Sequence, residues 1–334
     1  MNNIVSIIIP AYNEEGFIAR CLDSLLANDY PLEQLEILVL DGMSQDSTPV
    51  IVEEYSRKYN QVKLIENEYR VQVKGLNKGL RLVQGKYILR CDAHCEYPKN
   101  YILELVGFLE RNEADNVGGA IETLPSDNSI SARAIACAMN HPFGVGLSFR
   151  TRKASDKPVV VDTIPFGAWR KETLDKLGAF DEDFVRAQDL ELNIRLKKSG
   201  GRIVLLPWLI TKYYARNTLR KLTRLSYQMG YAKSQIAKKH RCIGSYRQLF
   251  PPTLVLGLPV TFFSGLVAFL YGLYLLMAVV FAGIVSVRSN NILGFPVIVL
   301  SFLIMHFSYG VGYLKGFFDN FVIGRGHTDW TVTR

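Results

Sequence analysis

The chain has 334 residues, a formal net charge of +8 and five cysteines. Its length predicts about two domains, and an odd number of cysteines does not fit a disulfide framework. The excess positive charge belongs to the second half, because the stretch between Glu191 and Asp319 contains no Asp or Glu. A basic block can bind nucleic acid or acidic lipid. Since the uncharged residues 248–287 follow it, we expect a membrane partner and no nucleic acid.

Apolar runs and helical patterns alternate along residues 4–122. The predicted strands cover residues 4–9, 35–40, 62–65, 86–90 and 116–122, and Pro10 ends the first of them. The predicted helices cover residues 15–27, 75–83 and 98–111, and a further helix starts at Ser47. This order predicts an α/β fold with a mostly parallel sheet flanked by helices. The chain has no P-loop and no G-x-G-x-x-G after the first strand, so other groups must hold a nucleotide.

The pattern is less regular in the next part of the chain. Residues 123–160 are rich in Ser, Gly and basic side chains, and we expect a mobile loop or lid there. The elements predicted after it are a strand over 159–162, helices over 173–177 and 188–199, and a last strand over 202–206.

The last third of the chain is apolar. Residues 248–287 are long enough for two spans joined by a tight turn, and residues 292–314 for another, so two or three transmembrane helices are predicted. A buried helix of a globular domain is the alternative. The basic residues 216–247 would then lie on the cytoplasmic side, as an amphipathic interfacial helix or a solvated linker.

No basic segment precedes the first strand, so we expect no signal peptide and a cytoplasmic catalytic domain. We therefore divide the chain into a catalytic domain, interfacial helices, transmembrane helices and a polar tail: residues 1–215, 216–247, 248–314 and 315–334.

Polar residues follow three of the predicted strands. Tyr12 and Glu14 follow the first strand, Asp41 the second, and Asp92 and His94 the fourth. Because parallel strands end on one edge of a sheet, where α/β folds bind ligands, these side chains are expected to share one pocket. Tyr12 can stack on a base, and Asp41 can accept hydrogen bonds from base or ribose. For Asp41 and Glu14, helix N-capping is the alternative.

A carboxylate and an imidazole one residue apart suit a divalent cation that is held against a diphosphate. Asp92 and His94 are therefore the candidate metal ligands. Half of a zinc site could also be built from Cys91, His94 and Cys95, but no second cysteine pair completes it.

In this combination the motifs resemble those of the family 2 glycosyltransferases, which have the GT-A fold, over about residues 3–215. The family's Pro-x-Tyr-Asn-Glu corresponds to residues 10–14. Its Asp-Asp-Gly-Ser-x-Asp-x-Thr corresponds to residues 40–48, where Leu40 replaces the first Asp, and its Asp-x-Asp to residues 92–94. The resemblance implies a nucleotide-sugar donor bound by Pro10, Ala11, Tyr12, Glu14, Asp41 and Asp92.

The same resemblance implies a divalent cation, Mn²⁺ or Mg²⁺, on Asp92 and His94, with the imidazole in place of the second carboxylate. It also implies a catalytic base, because the family places an acidic pair at a helix start. Here Gln188 replaces the first acid and Asp189 keeps the second, so Asp189 would deprotonate the attacking hydroxyl, with inversion. The helix N-terminus is expected to lower the pKa of Asp189, and helix capping is its alternative role.

More narrowly, residues 92–98 and 161–168 resemble the membrane-bound glucosyltransferases of succinoglycan-type exopolysaccharide assembly. This implies transfer from a UDP-glucose-like donor to a polyprenyl-diphosphate-linked glycan at the bacterial inner membrane. Processive synthases of the family carry Gln-x-x-Arg-Trp, which is absent at residues 228–231, so we expect one sugar per encounter. The candidates for contact with sugar or acceptor are Asp162, Phe166, Gly167, Gln188 and Glu191. For Phe166 and Gly167, simple packing is equally open.

Two other functions stay open from the sequence. A nucleotidyltransferase that makes sugar nucleotides has a related sheet, but it usually carries a Gly-rich basic loop, where this chain has an acidic segment, residues 10–14, that ends in Glu14. A non-enzymatic membrane scaffold with a nucleotide-binding fold is the second, since His94 and Gln188 replace acids of the family pattern.

Overall fold

The computed structural model describes residues 4–146, 156–243 and 245–324. Parts of the expected lid and of the polar tail therefore lie outside the described residues. Contacts between Cα atoms divide the chain into two compact units. The described residues of the first unit are 4–121 and 156–213, and those of the second are 122–146, 214–243 and 245–324.

Strands and helices alternate in the first unit, and helices make up most of the second. The strands are β1 (Val5–Ala11), β2 (Leu35–Asp41), β3 (Val62–Glu66), β4 (Tyr87–Arg90), β5 (Cys95–Glu96), β6 (Asn116–Pro125), β7 (Val159–Val160), β8 (Ala168–Arg170) and β9 (Ile203–Ala215). The α-helices are α1 (Ile18–Leu26), α2 (Thr48–Lys58), α3 (Gln72–Leu82), α4 (Tyr101–Glu110), α5 (Ile130–Met139), α6 (Pro142–Val145), α7 (Lys171–Leu177), α8 (Gln188–Lys198), α9 (Leu219–His240), α10 (Phe250–Gly257), α11 (Gly265–Arg288) and α12 (Phe295–Phe317).

The parallel half of the sheet is formed by the first four strands in the order β3-β2-β1-β4. All residues of β1 and β2 are buried, which accounts for their mostly apolar sequences, and the buried Ser6 hydroxyl of β1 donates to Glu36 of β2 at 2.6 Å. Helix α3 packs on these strands, with Leu76 in a core that includes Ile8, Leu40 and Ile88. Pro10 lies inside β1 rather than at its end, since the strand continues to Ala11.

The other half of the sheet contains antiparallel pairs. Strand β8 runs antiparallel to both β4 and β6, and β9 is antiparallel to β5 and β7. The sheet is therefore mixed, with β8 inserted between the parallel half and β6. The three-residue β8 was not predicted, and β9 is much longer than the predicted strand over 202–206.

Helices α5 and α6 of the second unit lie in the segment for which a mobile loop or lid was expected, so that expectation is wrong for residues 130–145. An Ala-rich sequence favours α5, and the hydroxyl of Ser129 caps it by accepting a 3.1 Å hydrogen bond from the Ala132 amide. The helix packs on α11 and α12. The ring of Phe143 in α6 lies 5.1 Å from that of Phe302.

Helices α11 and α12 are long and apolar enough to cross a membrane. Residues 248–287 form the short α10 and the long α11 instead of two spans, so two candidate spans remain among the described residues. Only 17% of the most apolar window of α11 is buried. A core helix of a soluble domain would be mostly buried, whereas an apolar surface of this kind suits lipid.

Helices α9 and α12 pack unusually closely through small residues. A Cβ atom on Gly230 of α9 would collide with the carbonyl oxygen of Tyr309, and one on Gly312 of α12 would collide with that of Tyr227. Such close contact of helix backbones is typical of helix pairs in membranes. The basic helix α9 is therefore held rigidly against the last apolar helix.

Candidate active site

The ends of three neighbouring strands meet at one edge of the sheet, as predicted. In the register, Ala11 of β1 lies beside Asp41 of β2, and Ile8 of β1 lies beside Arg90 of β4. The residues that follow these strands therefore lie on one rim. Pro10 and Ala11 belong to the buried strand itself, so only their backbone and the segment after them can face a ligand.

The two loops after β1 and β2 are tied together by hydrogen bonds. The Glu14 amide donates to the hydroxyl of Thr48 at 2.7 Å, and the Asn13 amide donates to that of Ser44 at 2.8 Å. The carboxylate of Asp41 is buried and accepts from the amide and the hydroxyl of Ser44, at 3.0 and 2.5 Å. Tyr12 is half-buried beside Gly42. The rim is thus held together by hydrogen bonds within the protein.

Arg90 joins the two predicted carboxylates of the site. Its guanidinium is 5% exposed and contacts Asp92, with 3.1 Å between Nη2 and Oδ1, and it also forms an ion pair with Asp189. The Phe166 amide also donates to Asp189, at 3.4 Å. We call Arg90, Asp92, Asp189 and the Phe166 amide the Arg90 group. Asp92 and Asp189 are far apart in sequence, but both contact the guanidinium of Arg90.

Asp189 lies in the first turn of α8, as predicted, but its pKa is shifted in the direction opposite to the prediction. Burial raises the pKa of Asp189, and the charge and hydrogen bonds of Arg90 oppose this shift only in part. The pKa of Asp189 is therefore raised and not lowered as predicted, because desolvation outweighs the contacts with Arg90 and the Phe166 amide. A raised pKa makes the carboxylate a stronger base once it is ionised.

His94 pairs with Glu14. Its Nδ1 lies 3.1 Å from Oε1 of Glu14, which is buried, and its ring makes an edge contact with Tyr213 at 4.8 Å. A carboxylate beside Nδ1 favours the tautomer with the proton on that nitrogen and the lone pair on Nε2. Glu14 therefore lies against the imidazole, whereas the sequence predicted a contact with the donor.

The remaining candidates differ in their surroundings. The amide of Gln188 donates to Gln72 at 3.0 Å. Glu191 is fully buried and makes an ion pair with Arg195 at 2.8 Å. Asp162 is exposed and pairs with Lys197. These contacts join α8 to α3 and to the segment after β7, and the structure does not bring Glu191 or Asp162 to the Arg90 group.

Phe166 and Gly167 form a left-handed turn against the Arg90 group. Their φ angles are 62° and 97°, and the Phe166 ring lies 5.7 Å from the Arg90 guanidinium. A positive φ in a bulky residue is unfavourable and is maintained only where the surroundings require it. The sequence marked these residues but missed Arg90, although an arginine at the end of a buried strand signals a buried partner.

No group of three or more His, Cys, Asp or Glu side chains arranged to hold a metal ion occurs among the described residues. Asp92 and His94 stay the predicted metal ligands. The Glu14–His94 contact is the carboxylate–imidazole arrangement that orients metal-binding histidines. Cys91 and Cys95 are buried, and burial raises the pKa of the Cys91 thiol to about 12.

Comparison with known proteins identifies the family of the chain. A sequence profile described as Glycosyl transferase family 2 matches residues 6–178, just over half of the chain. A Methanococcus voltae protein is 28% identical over 324 residues, which cover 94% of this chain and 97% of the relative. Its name is dolichyl N-acetyl-alpha-D-glucosaminyl phosphate 3-beta-D-2,3-diacetamido-2,3-dideoxy-beta-D-glucuronosyltransferase. The succinoglycan biosynthesis protein ExoA of Rhizobium meliloti (strain 1021) is 27% identical over 335 residues, 94% of each chain.

Solved structures share the fold. The mannosyltransferase PcManGT from Pyrobaculum calidifontis, in complex with GDP-Man and Mn²⁺, has a TM-score of 0.52 and 23% identity, over 71% of this chain and 64% of that protein. GalNAc-T7 with UDP, GalNAc and Mn²⁺ also gives a TM-score of 0.52, at 17% identity. These likenesses confirm the GT-A type of the α/β fold.

Proposed function

The chain belongs to glycosyl transferase family 2, and we propose that it transfers one sugar, with inversion, from a nucleotide diphosphate sugar to a lipid-linked glycan. The observation that carries the proposal is the Arg90 group. It joins Asp92, on the strand edge that faces a donor in this family, to Asp189, the candidate base. This arrangement supports donor binding and proton removal at one place in the first unit.

Asp189 accepts the proton of the acceptor hydroxyl in the proposed reaction. Its carboxylate is held by two contacts, the Arg90 guanidinium and the Phe166 amide, so its orientation is set before a substrate arrives. Since direct attack by the hydroxyl inverts the anomeric centre, no nucleophile from the protein is needed. The electron pair of the sugar–oxygen bond leaves with the nucleoside diphosphate.

The donor diphosphate lies, in this proposal, beside Asp92 and His94. A divalent cation, Mn²⁺ or Mg²⁺, would be held there by the Asp92 carboxylate and Nε2 of His94, and would neutralise charge on the leaving diphosphate. Tyr12 and Asp41 provide an aromatic face and a buried acceptor on the same rim, which suits a base and a ribose. UDP-glucose is the donor that the sequence resemblance favours.

The acceptor is proposed to be a glycan on a polyprenyl diphosphate carrier. Two relatives that match nearly the whole chain are named for transfer to a dolichyl-linked sugar phosphate and for succinoglycan biosynthesis. The two candidate spans are consistent with an enzyme whose acceptor resides in a bilayer. We place the protein in the bacterial inner membrane, as a multi-pass protein with its catalytic unit in the cytoplasm.

The test is a screen of nucleotide sugars with purified full-length protein, Mn²⁺ or Mg²⁺ and lipid-linked acceptor. We expect a single added sugar, and at least a roughly 10²-fold loss of turnover in Asp189→Asn with donor binding retained. The matched control is Asp175→Asn, which removes an exposed carboxylate paired with Lys171.

Three outcomes would contradict the proposal. Release of pyrophosphate from a nucleoside triphosphate would indicate a nucleotidyltransferase, and absence of any donor turnover would indicate a scaffold. A ladder of products would contradict the transfer of one sugar.

A further inference from the structure

A groove in the second unit lies between the first half of α9 and the second half of α12. It encloses about 520 Å³. Arg220, Thr223, Arg224 and Tyr227 line it from α9, and Phe307, Ser308 and Val311 line it from α12. We call it the α9–α12 groove. None of these residues belongs to the Arg90 group.

The α9 side of the groove is strongly cationic. Arg220 and Arg224 are one helical turn apart, so their guanidinium groups project from the same face of α9. Both side chains are exposed, and within the described part of the chain neither has an ion-pair partner. The sequence contains no Asp or Glu between Glu191 and Asp319 to neutralise them. Two neighbouring unpaired arginines suit the oxygens of a phosphate or diphosphate.

The α12 side of the groove is apolar. Phe307 and Val311 lie one turn apart on a candidate membrane span, and 46% of Val311 is exposed. Thr223 and Ser308 add hydroxyl groups, one from each helix. A ligand that covers both sides must therefore have an anionic end and an apolar body. Neither a free phosphate nor a nucleic acid has an apolar body to cover this side.

The groove has a fixed width because the two helices are in backbone contact just beyond it. Gly230 and Gly312 allow this contact, and an added Cβ on Gly316 would collide with the Ser234 hydroxyl of α9. A rigid site loses little conformational freedom when a ligand binds. The groove is therefore a pre-formed site on a helix pair that includes a candidate span.

We propose that the α9–α12 groove binds the phosphate-bearing end of an isoprenoid lipid, with Arg220 and Arg224 on the diphosphate and the first isoprene units against Phe307 and Val311. This inference rests on the proposed function, for which it names the binding site of the acceptor's lipid carrier. The two arginines would hold the diphosphate of the carrier in one position, and the glycan attached to it would stay free to move.

The test measures binding of farnesyl diphosphate to the full-length protein in phosphatidylcholine nanodiscs. We expect the double variant R220Q/R224Q to bind at least about tenfold more weakly, because two charge-assisted contacts are lost. The matched control, K221Q/K238Q, removes two exposed charges of the same helix outside the groove and should stay within about twofold of the wild type. Val311→Trp, which fills the groove and keeps its charges, should also weaken binding.

Farnesol and inorganic diphosphate are expected to bind at least tenfold more weakly than farnesyl diphosphate, since each engages one side of the groove. Unchanged affinity in R220Q/R224Q, or equal competition by phosphatidylglycerol, would overturn the inference. Donor hydrolysis without acceptor should be the same in R220Q/R224Q as in the wild type. If the wild type binds farnesyl diphosphate through these arginines but transfers no sugar to a lipid carrier, the proposed function fails and the groove assignment stands.

Discussion

Arg90 shows how one buried cation can organise two acidic groups. With 5% of its side chain exposed, it would be costly to bury alone, and Asp92 and Asp189 offset that cost. The sequence predicted both carboxylates from local motifs and strand ends. It could not predict that an arginine links them, because the ion pair depends on how α8 is placed against β4. Long-range side-chain contacts of this kind leave no periodic signal.

Arg90→Met tests this group at the level of stability. The substitution leaves two carboxylates without their cation, and breaking a buried pair in this way costs about 3 to 5 kcal/mol. Since burial already raises the pKa of Asp189, loss of Arg90 should raise it further. The penalty for a charged Asp189 applies above that pKa and disappears as pH falls through it. We expect the melting temperature of the variant to fall most at neutral pH and to approach the wild type in acid.

The same variant should change the pH dependence of activity. Proton removal needs ionised Asp189, so the acidic limb of the kcat/KM profile should lie above the ordinary aspartate range in the wild type and move to higher pH in Arg90→Met. Surviving activity in Arg90→Met with an unmoved acidic limb would show that Asp189 is not the titrating base.

Glu14→Gln tests the carboxylate beside His94. Glutamine keeps the size of the side chain but no longer favours the tautomer with its lone pair on Nε2. Loss of such a partner typically weakens metal affinity about 10- to 100-fold. Mn²⁺ titration of the full-length protein by calorimetry measures it, with the exposed Glu33→Gln as control. If Glu14→Gln and Glu33→Gln bind Mn²⁺ with the same affinity, Glu14 does not support metal binding.

The sequence predicted individual strands and helices correctly where the apolar or helical pattern extends over enough residues. The strands β1 to β4 and the helices between them follow from apolar runs and helical spacing, and their ends moved by only a few residues. By contrast, β8 has three residues, and α5 is a short Ala-rich helix beside Ser and Gly, so neither gives a clear pattern. Helix α9 was predicted from its basic and apolar positions. Its contact with α12 depends on glycines that single-helix patterns do not reveal.

The glycine contacts of α9 and α12 give a prediction with an unusual sign. Gly→Ala in a helix normally stabilises by about 1 kcal/mol. Gly230→Ala and Gly312→Ala should instead destabilise, because the new methyl groups collide with the carbonyls of Tyr309 and Tyr227. Gly272→Ala in α11 is the control, since nothing lies within 4 Å of its added Cβ. Thermal unfolding in detergent measures all three, and stabilisation by all three would refute the close packing.

At the scale of the whole molecule, the chain combines a sheet-based unit with an apolar helical one. The apolar face of α11 is broad, and only the narrow row of Tyr274, Ala278, Ala282 and Ser286 is buried. The sequence predicted a membrane part from hydropathy and missed that α5 and α6 belong to the same unit. That membership is set by packing against α11 and α12, which the sequence of a short helix does not reveal.

Val279→Arg tests insertion into the membrane. Val279 is 44% exposed near the middle of α11, and arginine at the centre of a span costs about 2.5 to 3.5 kcal/mol on insertion scales. We expect a smaller share of the protein to resist carbonate extraction from membranes. Val50→Arg on the exposed face of α2 adds the same charge and should have no effect. Equal extraction of both variants would argue against a spanning α11.

Neither unit is continuous along the chain, and this has a consequence during translation. Helices α5 and α6 leave the ribosome before α11 and α12, on which α5 packs, have been synthesised. Their apolar side chains therefore stay exposed to solvent while the remaining strands of the catalytic sheet are synthesised. A fragment that stops after β9 would keep this exposed surface permanently, so it would aggregate where the full chain does not.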